Sequence, residues 1–144
     1  MTIKDVHNLQ RFLDAQSNIY SQVITELQQG SKRTHWIWFI FPQMAGLGFS
    51  QTASYYGIKS IDEARSYLKQ PILGERLREC VRLVLNVKGK TARQIFGSPD
   101  DLKFCSSMTL FQQASPDNSL FAKALDQYYQ GKADTRTLQL LGRG

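Results

Sequence analysis

The sequence is short of the side chains that carry most catalytic and metal chemistry: among 144 residues there are two cysteines and two histidines. Cys80 and Cys105 have no CxxC or Cys/His spacing around them, so no zinc module is indicated; the two could pair only if the fold brought them together, which would be unusual in a reducing compartment. Each sits in an apolar helical pattern and reads as a reduced, packed thiol, because free cysteine behaves as a small hydrophobe. With only His7 and His35, general acid–base chemistry near neutral pH has few imidazoles to draw on. There is no P-loop, no HExxH and no GxSxG. Long apolar runs are missing too: the longest, Trp36 to Pro42, is far below the ~20 residues that cross a bilayer. Met1-Thr2-Ile3-Lys4-Asp5 lacks the apolar stretch of a secretory signal. The expectation is a cytoplasmic protein that calls for no cofactor, metal or membrane.

What is present is ordinary for a globular chain. Charged residues make up 21% and hydrophobic ones 42%, so neither disorder nor a fibrous architecture is indicated. The length suits one domain spanning residues 1–144, long enough to bury most of its apolar surface. Acidic residues are outnumbered, giving a net charge of +6 and a pI near 9.5. Such a balance favours anionic partners: nucleic acid, nucleotides or acidic proteins.

Apolar spacing and helix punctuation predict an irregular all-α domain of about seven helices. Leu9, Phe12 and Leu13 form one face; Tyr20, Val23, Ile24 and Leu27 form the next at i, i+3, i+4, i+7, closed by Gly30. The run Trp36 to Phe41 holds both tryptophans and, read as a buried helical turn, forms the apolar wall on which the fold condenses. Ser60 and Glu63 have capping-box spacing ahead of Ile61, Ala64 and Leu68, with Glu63 expected to reach back to the Ser60 amide. Pro71 starts the next helix, where its missing N–H costs nothing; Leu73, Leu77, Cys80, Val81, Val84 and Leu85 line it, and Gly89 ends it. Thr91 and Gln94 repeat the box. Pro99, Asp100 and Asp101 start a helix with carboxylates at the positive end of its dipole. Pro116 to Asn118 open another, and Asp134 caps the last.

Polar residues flanking the aromatic wall are the candidate ligand contacts. On one side stands His35; on the other are Gln43, Gly46, Gly48 and Ser50. Gly46-Leu47-Gly48 lacks the third glycine and the surrounding strand–helix unit of a dinucleotide fingerprint. It reads as a turn needing positive φ or as a loop that lets a ligand approach backbone. Trp36 and Trp38 cannot both face one way in a helical turn, so one of them is free to line a groove. Ser106, Ser107 and Thr109 interrupt an apolar helix beside Lys103. Hydroxyls in mid-helix are poor propensity choices, so they either meet a polar ligand or tie the helix to the loop after the aromatic wall. Tyr55, Tyr56 and Gly57 make a further wall. Separately, Arg76, Arg78, Arg82, Lys88, Lys90 and Arg93 concentrate basic charge on one helix and its exit, without a recognition-helix or RNA-binding signature.

Three of these stretches resemble a known family. HWIWFIFPQMAGLGFS (residues 35–50), then Ala64…Tyr67-Leu68…Pro71…Leu73-Gly74…Arg76-Leu77, then Ile95 to Lys103 with Ser106 to Phe111, are similar to the "domain of unknown function 1810" family, sometimes labelled calpastatin. The resemblance implies a compact, mainly helical domain and no established activity. A calpastatin-type inhibitor would be disordered and repeat-built, unlike this chain. The family often has histidine where this chain has Gln70.

The resulting expectation is a small-ligand site for a nucleotide-like or other anionic metabolite between residues 35–50 and 103–113. In it Trp36 or Trp38 stacks on a flat moiety, and amides near Gly46 and Gly48 meet an anionic or carbonyl group. Gln43, Lys103, Ser106 and Ser107 orient the ligand, and His35 is the proton carrier if there is chemistry. The alternatives are a nucleic-acid or acidic-partner module using the basic face, and a helical interaction domain with no pocket.

Overall fold

The computed structural model describes residues 5–115 and 119–143. Among them the chain forms ten helices rather than about seven. The first two are α1 (Gln10–Ser17) and α2 (Tyr20–Gln28). The aromatic run is the single turn α3 (Ile37–Ile40), followed by α4 (Gln51–Tyr56). Then come α5 (Ile61–Lys69), α6 (Pro71–Asn86) and α7 (Ala92–Phe96). The chain continues with α8 (Asp100–Ala114), α9 (Ser119–Tyr129) and α10 (Thr135–Leu140). The excess over seven comes mainly from short pieces. α3 is one turn long, and α4 buries none of its six residues completely, so it leaves no apolar periodicity to read. The predicted opening of α9 at Pro116–Asn118 lies outside the described residues.

The core is organised around α8. Phe104, Ser106, Ser107, Met108, Thr109, Leu110 and Phe111 are all buried, the pattern of a helix surrounded on every side. It packs against α9 and α5, and also meets α7, α3 and α10. The aromatic run docks on it by ring contacts. Phe41 meets Phe104 edge-on at 4.8 Å, and Phe96 stacks on Phe104 at 4.7 Å. Such pairs add ~0.5–1.5 kcal/mol beyond the area they bury.

Local capping chemistry holds the helix starts as read. Thr91 and Gln94 form a complete capping box, Pro71 opens α6, and Asp134 accepts from the Thr137 amide at 3.2 Å. The Ser60 box is half of what its spacing predicts. Ser60 accepts from the Glu63 amide at 3.1 Å, but the Glu63 carboxylate takes the Lys59 amide at 3.1 Å and the Arg11 guanidinium at 2.7 Å. The charge-assisted bond to Arg11 fixes one oxygen, and the other reaches the amide of Lys59 in place of that of Ser60. Beyond α3 the chain runs extended for a few residues, with Met44 and Ile58 forming a parallel bridge. Ala45 N–H donates to the Ile58 carbonyl at 2.8 Å, and Ile58 N–H to the Gln43 carbonyl at 2.8 Å. This fixes the loop 43–50 against the end of α4.

Candidate functional site

A small recess of about 60 Å³ opens where α3, the loop after it, α4 and the first turn of α8 meet. The bridge described above supplies its back: Met44 and Gly57 line it, with Leu47 and Ala53 beside them. Gly48 lines it too, and a Cβ there would lie 2.8 Å from the Ala53 Cβ, so only glycine lets the loop close on α4 at that point. Gly57 is as tight, its Cβ position lying 2.8 Å from Ala45.

Six residues singled out from the sequence line this recess: Trp38, Gln43, Gly48, Tyr56, Gly57 and Lys103. Lys103 sits with its ammonium 4.9 Å from the centre of the Trp38 ring, a favourable cation–π distance. Its ion-pair partner is Asp100 at 3.5 Å, but that carboxylate is held more closely by Lys32, at 2.8 Å. Two ammonium groups therefore share one acid. The ring of Tyr56 packs on Phe39 and Phe12 at 5.3 and 5.8 Å, and burial pushes its phenol above the usual tyrosine range. Among the described residues the Trp38 indole N–H, the Gln43 amide and the Tyr56 hydroxyl make no hydrogen bond to protein, and the charged groups acting on the Tyr56 hydroxyl are Arg11 and Asp14 of α1.

The other predicted residues lie elsewhere or are engaged. Trp36 is buried, with its indole N–H donated to Glu26 at 2.9 Å; of the two tryptophans it is Trp38 that lines the recess. His35 is exposed and outside the lining. Gly46 has φ of +99° and faces α10: its carbonyl accepts from Arg136 at 3.4 Å, and its Cβ position is 3.6 Å from Leu140. Ser50 caps α4, accepting from the Ala53 amide at 3.0 Å.

Two of the three hydroxyls of α8, those of Ser106 and Thr109, are spent on the start of α10, a third destination besides ligand and aromatic loop. Ser106 Oγ lies 3.0 Å from the Asp134 carboxylate and 3.1 Å from the Leu102 carbonyl. Thr109 Oγ1 donates to the Cys105 carbonyl at 2.9 Å and accepts the Asp134 amide at 2.8 Å. Ser107 Oγ is fully buried and has no partner among the described residues.

Half of the basic cluster is likewise committed to structure. Arg76 lies over the Tyr20 ring at 4.7 Å and donates to Gln16 at 3.3 Å. Arg78 donates to the Leu68 carbonyl at 3.3 Å, and Lys90 to the Gly30 carbonyl at 3.1 Å. Arg82, Lys88, Lys90 and Arg93 are exposed, Lys88 with only a long 3.5 Å contact to Gln127. Among the described residues no group of three or more His, Cys, Asp or Glu side chains could hold a metal ion, and no helix is long and apolar enough to cross a membrane.

Sequence reasoning missed Glu26, the most heavily bonded carboxylate among the described residues. Besides Trp36 it accepts from Gln22 at 2.9 Å, from the Arg33 and Thr34 amides at 2.7 and 3.0 Å, and from the Thr34 hydroxyl at 2.7 Å. The signal was a single acid beside Leu27 on the inner face of α2. Met44, Leu47 and Ala53 also went unassigned as lining, because small and apolar residues announce packing rather than a site.

No curated protein matches this chain. The crystal structure of the conserved hypothetical protein Rv1873 from Mycobacterium tuberculosis is similar to it over 96% of this chain and 99% of that one, with a TM-score of 0.95 and 51% sequence identity. A family model described as "Protein of unknown function (DUF1810)" matches residues 6–141. The three motifs, the helical fold and this match agree, and the chain belongs to the DUF1810 family.

Proposed function

We propose that this protein is a cytoplasmic small-ligand-binding domain whose site is the Trp38–Lys103 recess. The observation that carries the reading is that Trp38, Gln43 and Tyr56 line one recess together with a half-buried lysine whose counter-ion is shared. Elsewhere in the predicted set, polar atoms such as those of Ser50, Ser106 and Thr109 are consumed by the fold. The ligand class is polar and anionic. Two free thiols accord with a reducing compartment.

A thermal-shift screen against nucleotides and common metabolites tests this. A ligand at 100 times its Kd raises stability by ~2.7 kcal/mol. The expected hit is weakened by Tyr56→Phe and Gln43→Ala and indifferent to the double variant Arg82→Ala, Lys88→Ala. The opposite pattern, with oligonucleotide binding that weakens steeply as salt is added, would replace the pocket by the basic face.

A further inference from the structure

Resting on that reading, we infer that two residues outside the recess, Asp100 and Lys32, set its charge and make it selective for singly over doubly charged anions. The geometry is a row of alternating groups. Lys32 lies over the Trp36 ring at 5.0 Å, and Lys103 over the Trp38 ring at 4.9 Å. Between the two ammonium groups stands Asp100, its Oδ2 2.8 Å from Lys32 and its Oδ1 3.5 Å from Lys103. Lys103 lines the recess; Asp100 and Lys32 do not. The two contacts are unequal, and burial says why. The Lys32 side chain is 5% exposed, and its ammonium also donates to the Thr34 carbonyl at 2.6 Å. A cation that deep cannot fall back on water, so it holds the carboxylate and leaves Lys103, 29% exposed, with the longer contact.

Two cations and one acid sum to a single positive charge. Among the described residues, the other charged groups nearby are balanced or engaged elsewhere. Arg11 and Asp14 act on Tyr56 with opposite signs, and Glu26 is filled by its own donors. Arg136 reaches the loop at the Gly46 carbonyl, and Asp101 acts on Cys105 and Tyr129. The remaining side-chain donors on the lining, those of Trp38, Gln43 and Tyr56, are neutral. An oxyanion hydrogen-bonded to Lys103 at ~2.8 Å lies no more than roughly 6 Å from the Asp100 carboxylate. At that separation like charges disfavour each other. A monoanion brings Lys103, Asp100 and Lys32 to neutrality. A dianion leaves a net negative charge, loses more hydration on entering and is repelled twice as strongly by Asp100. Were Lys103 unaccompanied, the doubly charged ion would be the better ligand.

Methanesulfonate and sulfate are the probes, because they share a tetrahedral shape and differ by a methyl group in place of one charged oxygen. Each is titrated at neutral pH and constant ionic strength, following the indole N–H resonance of Trp38. The expected result is that methanesulfonate binds the wild-type protein at least about threefold more tightly than sulfate. Asp100→Asn, which keeps the shape of the side chain and removes its charge, reverses the order, with sulfate gaining at least about tenfold. The methyl group is the same in both proteins, so a reversal reports charge alone. Lys32→Met releases Asp100 to pair with Lys103 and weakens both anions, and Lys32→Arg restores them. Should Lys32→Met not fold, Asp100→Asn decides by itself. Sulfate binding the wild type as tightly as methanesulfonate, an order unchanged by Asp100→Asn, or a folded Lys32→Met that binds both ions as before would overturn the inference. Each of those outcomes leaves the small-ligand reading standing. If neither ion moves Trp38 in wild type or in Asp100→Asn, the inference fails, and the broader reading fails with it only if the metabolite screen is also blank.

Discussion

Trp36 gives its indole N–H to Glu26 across 2.9 Å of the buried interior, and that one bond ties α2 to the aromatic run through the hinge between them. Burial alone would raise the Glu26 pKa. The Arg33 amide, with donors on Gln22, Thr34 and Trp36, outweighs burial and holds the carboxyl at about 2. A folded-state pKa below the unfolded value of ~4.3 means that Glu26 contributes its full stability above that pH. The contribution is lost as pH falls from there towards about 2. Urea midpoints between pH 2 and 7 should show Glu26→Gln much less stable than wild type at neutrality, by at least ~2 kcal/mol. The gap should narrow below pH ~4.

The two tryptophans should separate cleanly on substitution. Trp36→Phe removes a donor from a buried carboxylate and should cost ~1–3 kcal/mol. Trp38→Phe, at the edge of the recess, should stay within about 1 kcal/mol. Emission spectra of the two variants check the assignment: the protein that retains only Trp38 should be the more readily quenched by acrylamide.

Arg11 is buried with Glu63, and its guanidinium also donates to the carbonyls of His7, Asn8, Tyr55 and Gly57. It thereby pins α1 to the end of α4 and the start of α5. Glu63→Gln leaves that cation without its counter-charge, so a loss of ~3–5 kcal/mol is expected in chemical denaturation. The double variant Arg11→Met, Glu63→Gln should not recover it, because the four carbonyls that Arg11 serves then lose their donor.

Gly74 sits where α6 leaves the α5 corner, and a Cβ there would come within 2.2 Å of the Leu68 carbonyl oxygen. Alanine would gain ~1 kcal/mol in helix propensity, but a backbone clash of that depth outweighs it. Gly74→Ala should lower the melting temperature by an amount equivalent to more than ~2 kcal/mol. Gly89→Ala, with φ of +77° in open space, should cost only the ~1–2 kcal/mol of the left-handed conformation.

Burial pushes the Cys80 thiol up to about 12. Burial, then the Asp134 carboxylate, pushes the Cys105 thiol to about 11. Neither is a ready thiolate at pH 8. A thiol reagent such as Ellman's should react slowly with half-buried Cys105 and with Cys80 only as the fold opens, so the second rate should follow added denaturant.

The legible parts of this structure were those encoded within a turn of chain. Thr91 with Gln94, Pro71 and Asp134 mark helix starts because each cap is satisfied by residues three or fewer positions away. Contacts across the chain were not legible. Ser106 and Thr109 read as unexplained hydroxyls until Asp134, 28 and 25 residues on, closes their bonds. Glu63 followed its spacing only until Arg11, 52 residues away, took the carboxylate. The recess was half visible for the same reason. Aromatic, amide and lysine side chains advertise themselves, whereas nothing local says that Trp38 turns outward while Trp36 turns in.

The pairing of Met44 with Ile58 has one more consequence. Its amide-to-carbonyl bonds fasten residues 43–45 to the strand-like segment after α4, so the back of the recess is set by main-chain geometry. Side chains at 38 and 103, on α3 and α8, can be exchanged without touching those bonds.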